Sequence, residues 1–416
     1  MKKRAVITGL GSITALGEGS DALWNALVEN RSGIDIISFD SNGGWKGLGA
    51  RVPGFVPEKY VPQKKALKVM ARDIQLAVAG ASLAMTDAGI APVTLPDRAG
   101  VIVGAGVLNH ELDELAFSIH SSLGEGGQLD MKRFGSEGLA SLFPLWLLKY
   151  LPNMPACHIS IIFNLQGLSN TLTTGPSAGL QAVGEALRII QRGDADVMLA
   201  GGAESKLNPV GLSQYKALGV LAETNGHPHA VYRPFDAQSG GLVVGEGAGF
   251  IVVEELEHAR KRNAKIYAEI IGYGCSSNSG QQIAIEAALA DAGITSHDLQ
   301  YLQACGLGLP AEDRSEMQAI QHVFNGSRQN LYVGVSKPAV GFTGFASGAL
   351  DLVISTLALK KQTVPPSMNL RPDKSEMGFK VASNGPLKNK MGHAMTNAFG
   401  FNGQSVSLIT KTYEDA

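Results

Sequence analysis

Residues 74–90 read IQLAVAGASLAMTDAGI, and residues 281–294 read QQIAIEAALADAGI. Both are alanine-rich amphipathic runs closing on Asp-Ala-Gly-Ile, where the glycine suits a left-handed helix C-cap. Each is followed by a short loop and an apolar strand, DRAGVIVGAG at 97–106 and LQYLQACGLG at 299–308. A second pair keeps the same order: SAGLQAVGEALRII at 177–190 and ASGALDLVISTLAL at 346–359 are small-residue entries into helices with an apolar residue at every third or fourth position. Two pairs in one order read as two copies of one supersecondary unit. The halves divide at 1–255 and 256–416, and no linker or low-complexity segment parts them, so they should pack as one compact pseudo-dimer.

Between the helices lie short apolar runs bounded by turns. They are DVMLAGGAE ending at Glu204, GEGAGFIVVEEL at 245–256, KIYAEIIGYG at 265–274 and NLYVGVSK at 330–337. Such runs alternating with helices predict an α/β architecture with largely buried sheets. A content of 44% hydrophobic and 17% charged residues over 416 positions supplies apolar material for a large core. The net charge of −2, with no basic run, argues against nucleic acid and anionic membrane as partners. Three cysteines, Cys157, Cys275 and Cys305, without CxxC spacing, fit neither a disulfide framework nor a zinc site, so no metal and a reducing cytoplasm are expected. The opening MKKRAVITGLGSITALG reads as a strand entering a turn rather than a signal peptide, and no membrane-spanning run follows. His227 and His229 in NGHPHA read as an exposed loop, and the glycine-rich run from Ser239 to Gly249 lacks the Lys-Ser/Thr ending of a phosphate loop.

The stretch TTGPSAGLQAVGEAL at 173–187 places a proline, Pro176, where a tight turn opens into a helix. Locally that is an ordinary first-turn proline. Its meaning changes with the motifs around it. NTLTTGPSAGLQAVGEALRIIQRGDADVMLAGGAES, the RPFD and GEGAG segments, VSKPAVGFTGFASGALDLV, VPPSMNL and NAFGFNG together resemble the condensing enzymes, the β-ketoacyl-acyl-carrier-protein synthases of fatty acid and polyketide assembly. The resemblance covers nearly the whole chain. It implies a thiolase-like fold, two βαβαβαββ halves packed as a five-layered αβαβα pseudo-dimer.

In that family a cysteine occupies the turn before the helix, and counting back from Gly179 places it at Pro176. The family's two histidines fall at Cys305 in QACGLGLP and at Phe342 in SKPAVGFTG. Lys337, Asp313 and Glu316 are kept, and Phe401 in GFNG matches the phenylalanine that gates the acyl pocket. The loop SSNSGQQIAIEAAL after Cys275 is shorter than the family's, which weakens the case for a working entrance. Proline carries no nucleophilic atom, and its missing N–H removes one donor of the oxyanion hole. Neither a phenyl ring nor a neutral thiol can polarise a thioester carbonyl as a histidine would. Cys305 therefore reads as a small residue filling the histidine's space rather than as a replacement nucleophile.

The resemblance then points to a non-catalytic subunit like the chain-length factors that pair with an active ketosynthase as a heterodimer. Those partners commonly carry glutamine at the cysteine position, from which Pro176 departs. No small-molecule cofactor is expected, the subunit acting with a phosphopantetheinylated acyl carrier protein through its partner. The strand matching the family's dimer contact is GLSNTLTT at 167–174, with Asn170, Thr171, Thr173 and Thr174 at the interface. The family's tunnel wall matches GVLNHELDELAFSIH at 106–120, read as helical, with Leu108, Leu112, Leu115 and Ile119 on one face. Gly106, Asn109, Asp113 and Phe117 would line the substrate tunnel. The other readings are a divergent active synthase and a purely structural partner.

Overall fold

The computed structural model describes residues 2–39, 46–90, 96–106, 111–223, 227–277, 280–326, 328–370, 379–383 and 385–414. Its principal elements run in two parallel series. The first is β1 (Ala5–Thr14), α1 (Arg72–Ala88), β2 (Ala99–Gly104), a surface helix α2 (Leu112–Ser121), α3 (Met154–Phe163), β3 (Ser169–Leu172), α4 (Ala178–Arg192), β4 (Val197–Ser205) and β5 (Glu246–Glu255). The second is β6 (Ala268–Ser276), α5 (Gln281–Ala292), β7 (Tyr301–Gln303), α6 (Pro310–Val323), β8 (Tyr332–Gly334), α7 (Ser347–Lys361), β9 (His393–Phe399) and β10 (Ser405–Thr412). With α2 set aside as an insertion, each series reads βαβαβαββ.

The strands lie in the order β8-β7-β9-β10-β6-β1-β5-β4-β2-β3. Read outward from the centre, both halves take their strands in the same sequence, and the parallel and antiparallel pairings match strand for strand. The halves meet where β1 pairs antiparallel with β6, Ala5 opposite Ile270 and Ile7 opposite Ala268. Three cores build five layers. Leu180, Val183 and Leu187 of α4 and Leu350, Val353 and Leu357 of α7 fill the middle, between Ile251 and Val253 on one side and Ile270 and Leu408 on the other. Outside, α1 and α3 cover Val101, Leu199 and Val252, while α5 and α6 cover Leu302, Val333 and Met395. Strands buried on both faces explain why their sequences run continuously apolar.

The Asp-Ala-Gly-Ile repeat has a structural cause. Each helix carrying it lies almost on the backbone of the first strand of its half: a Cβ on Gly9 or Gly11 would fall 2.3 or 2.0 Å from the carbonyl oxygens of Ala84 and Gly80. In the second half Gly272 and Gly274 face the carbonyls of Ala288 and Ala284 at 2.4 and 2.2 Å in the same way. The residue between each glycine pair has its N–H held by the repeat's aspartate, Leu10 by Asp87 at 2.9 Å and Tyr273 by Asp291 at 3.1 Å. The glycines close the helix–strand gap and the carboxylates lock the register. No helix among the described residues is long and apolar enough to cross a membrane.

Candidate functional site

The turn Gly175–Ser177 leads directly into α4. Gly175 takes φ 74°, a conformation that costs glycine least, and Pro176 follows in the first turn where no N–H is needed. Sequence positions far apart converge here through the bend Phe399–Gly403 after β9. Gly400 packs against Pro176, whose Cδ would be 3.2 Å from a Cβ there, and the Asn402 side chain covers Gly175. Phe399 touches Cys305 by main-chain contacts to the thiol, N to Sγ 3.4 Å and Sγ to O 3.6 Å. Phe401 packs at a tilt on Phe342, ring centroids 5.5 Å apart. One bend thus gathers Pro176, Cys305 and Phe342.

The chemistry at these positions is inert. Phe342, 1% exposed, packs edge-on against Tyr215 and belongs to an apolar cluster with Cys305, Leu307, Leu309 and Phe399. Burial pushes the Cys305 thiol up to about 12, against the pull of the nearby Lys337 charge, so no thiolate forms at neutral pH. Phe401 is 39% exposed and forms the outer lid of this cluster. The retained polar residues hold the frame. Glu316 accepts from the N–H groups of Cys305 and Gly306, each at 2.8 Å, and Asp313 accepts from those of Phe235 and Gly308. Lys337 donates to the Cys305 carbonyl and to Asp351 at 3.0 Å, and Asp351 also accepts from Gln303 and Ser336. Burial opposes the Lys337 charge, but Asp351 outweighs it and holds the ammonium above its usual range.

Among the described residues no group of His, Cys, Asp and Glu gathers as a metal would require. His227 and His229 stack with rings 5.6 Å apart. Cys275 is exposed, Cys157 half-buried, and all three cysteines are unpaired.

The strand β3 stands at the edge of the sheet, bonded in parallel to β2 alone among the described strands. Leu168 and Leu172 direct their carbonyls to Val101 and Ala105, so strand alternation turns the main-chain groups of Ser169 and Thr171 outward. Asn170 is exposed and its side chain accepts from the Thr171 N–H. Thr173 is exposed at the strand's end, and Thr174 donates to Gln181 at 2.6 Å.

In the segment read as the tunnel wall the described helix is Leu112–Ser121, and residues 107–110, Leu108 among them, lie outside the described ones. On the face read as apolar Leu112 is 51% exposed, Ile119 42% and Leu115 partly buried, while Phe117 on the other face is 70% exposed. The small hydroxyl residue Ser118 packs inward instead, donating to the Gly138 carbonyl. Periodicity located the apolar stripe but could not tell a stripe facing the core from one facing out of the chain. Asp113 is exposed and lines a cleft of about 500 Å³ with Arg51, Arg72, Ser205 and Glu246. Gly106 packs against the Phe345 ring, and Asn109 lies outside the described residues.

Sequence reading missed Asp351, Gln303 and Glu204, the buried partners of this frame. Glu204 closes AGGAE in β4, and Asp351 lies one helix away from Lys337; neither spacing carries a local signal.

The family model described as Beta-ketoacyl synthase, N-terminal domain, matches residues 2–259, and the one described as Beta-ketoacyl synthase, C-terminal domain, matches 267–371. The chain is 34% identical to a 3-oxoacyl-[acyl-carrier-protein] synthase 2 of Vibrio cholerae over 99% of each chain. Among solved structures it resembles a Beta-ketoacyl synthase from Burkholderia phymatum, TM-score 0.87 at 30% identity, covering 99% of this chain and 100% of that one. It also resembles the ishigamide ketosynthase/chain length factor, TM-score 0.85 at 29% identity over 100% of both.

Proposed function

The chain belongs to the beta-ketoacyl synthase family, and from that premise we propose that it is a non-condensing member, a chain-length factor that forms a heterodimer with an active β-ketoacyl-acyl-carrier-protein synthase. The observation that carries this reading is the bend at 399–403. It brings together the three positions where the family's cysteine and histidines are expected, and they hold a proline, a buried neutral thiol and a phenyl ring. No acyl-thioester can form at Pro176, and nothing at Cys305 or Phe342 can polarise a malonyl thioester.

The partner reading draws support from the outer face. The open edge of β3 is flanked by exposed Leu168 and, on the contacting helix α3, Ile161; Phe117, Leu139 and Phe143 are exposed elsewhere on the chain. An unpaired strand beside an apolar patch of this kind is a docking template. Asn170, Thr171, Thr173 and Thr174 form the contact. Gly106, Asn109, Asp113 and Phe117 border the tunnel shared with the partner, and the halves divide at 1–255 and 256–416. The family needs no small-molecule cofactor, its acyl groups arriving on a phosphopantetheinylated carrier protein. That carrier serves the partner's cysteine here, and the cytoplasm suits three unpaired thiols.

A second reading, an active synthase, is favoured by the curated relative named for the condensing reaction. Purification of the chain alone, and of the complex with the ketosynthase that accompanies it, separates the readings. A one-to-one complex whose malonyl consumption needs both chains supports the chain-length factor. Condensation by the chain alone overturns it, and a chain dispensable for product length reduces it to a structural partner.

A further inference from the structure

Phe345 occupies a junction of four elements. Its N–H is held by Glu204 at 2.7 Å. Its carbonyl is wedged between α4 and β4, where a Cβ on Gly179 or Gly202 would fall 2.5 or 2.3 Å from the oxygen. The preceding Gly344 takes φ 50° and lies so near the Glu204 carboxylate that any Cβ there would overlap it. The backbone at 344–345 therefore has one position open to it. The ring is partly buried and its tip lies against Gly106, where a Cβ would be 2.2 Å from Cζ. Gly106 follows Ala105, whose N–H bonds the Leu172 carbonyl of β3. The ring thus stands against the turn that leaves β2, the strand next to the open edge.

The backbone is fixed on both sides, and the ring, partly exposed, takes the space that the absent side chain of Gly106 leaves. We infer that Phe345 is the stop of the acyl tunnel on this subunit's side, a specificity-determining residue against whose ring the partner's growing chain ends. This rests on the chain-length-factor reading and names the residue that measures length within it. Space at Gly106 is filled by this chain's own side chain, so a chain entering from the partner cannot pass toward Pro176. An aromatic end wall, with the neighbouring Glu204 carboxylate engaged by the Phe345 N–H, favours an apolar or conjugated terminus over a polar one.

The complex with the accompanying active ketosynthase, supplied with acyl carrier protein and malonyl thioester, tests this. Phe345→Ala and Phe345→Leu are expected to lengthen the principal product by at least one extension unit, and Phe345→Trp to shorten it, with kcat for malonyl consumption changed less than the length. Complex stoichiometry by native mass spectrometry, measured on every variant, keeps folding and assembly separate from length. If the unaltered chain forms no productive complex, the parent reading falls and the stop with it. If complexes form and all variants give the wild-type product, the chain-length-factor reading stands and the stop at Phe345 is overturned.

Discussion

At the scale of single residues, three unreactive side chains stand in an ordered scaffold. Pro176 keeps the helix start, Cys305 keeps the loop that Glu316 and Lys337 clamp, and Phe342 fills the space beside Tyr215. A thiol at 3% exposure with its pKa pushed to about 12 should not react. Incubation with an acyl-carrier thioester is expected to leave Cys305 unmodified by intact mass, and a disulfide reagent should label exposed Cys275 first, reaching Cys305 only in denaturant. A stoichiometric adduct on Cys305 would restore the catalytic reading. Lys337, which the sequence shows only as a kept residue, is the cation of a buried pair with Asp351. Lys337→Met strands that carboxylate and should cost about 3–5 kcal/mol in denaturant unfolding, while Lys337→Met with Asp351→Leu should recover much of it. A neutral single variant would refute the structural role.

Among the elements, β3 and α2 are those whose meaning lies outside the chain. Thr171 turns its N–H away from β2, where the exposed Asn170 side chain accepts it until a partner strand takes its place, so Thr171→Pro deletes an outward donor without breaking the inward ladder. The variant should melt within a few degrees of the wild type while its affinity for the ketosynthase drops about tenfold or more, roughly the loss of one main-chain bond and the register it sets. Unchanged affinity by calorimetry would move the interface elsewhere. The helices α1 and α5 make the opposite case. Their Asp87 and Asp291 reach back to Leu10 and Tyr273, so the short Asp-Ala-Gly-Ile repeat was a true sign of element pairing. The GLG and GYG spacings that receive those helices stand equally in the sequence, but without the fold they look like any turn. For α2 the helical period shows in the sequence, but a hydrophobic stripe does not say which surface will cover it.

For the whole molecule, several buried carboxyls set the pH response. Burial, with the Glu204 charge second, raises Asp73 to about 8, and burial raises Asp313 and Glu316 to about 7. Such groups bind more protons folded than unfolded between their ordinary range and those values, so stability falls as pH rises through that interval and levels off above it. The thermal midpoint should therefore decline between about pH 5 and about pH 8, and Asp73→Asn should flatten the decline. A midpoint that climbs over the same range would contradict the assignment. The doubled architecture itself was legible beforehand, since each half must repeat the helix periods, strand runs and caps that build it, and these are local properties of the chain. That Pro176 itself offers no nucleophilic atom was legible too, because proline lacks it wherever it is placed. Only the tertiary structure decided that Cys305 is a buried neutral thiol, that Lys337 pairs with Asp351, and that Phe345 stands against Gly106. Those contacts join residues far apart in sequence, and their energetics depend on burial and distance, which the order of residues does not encode.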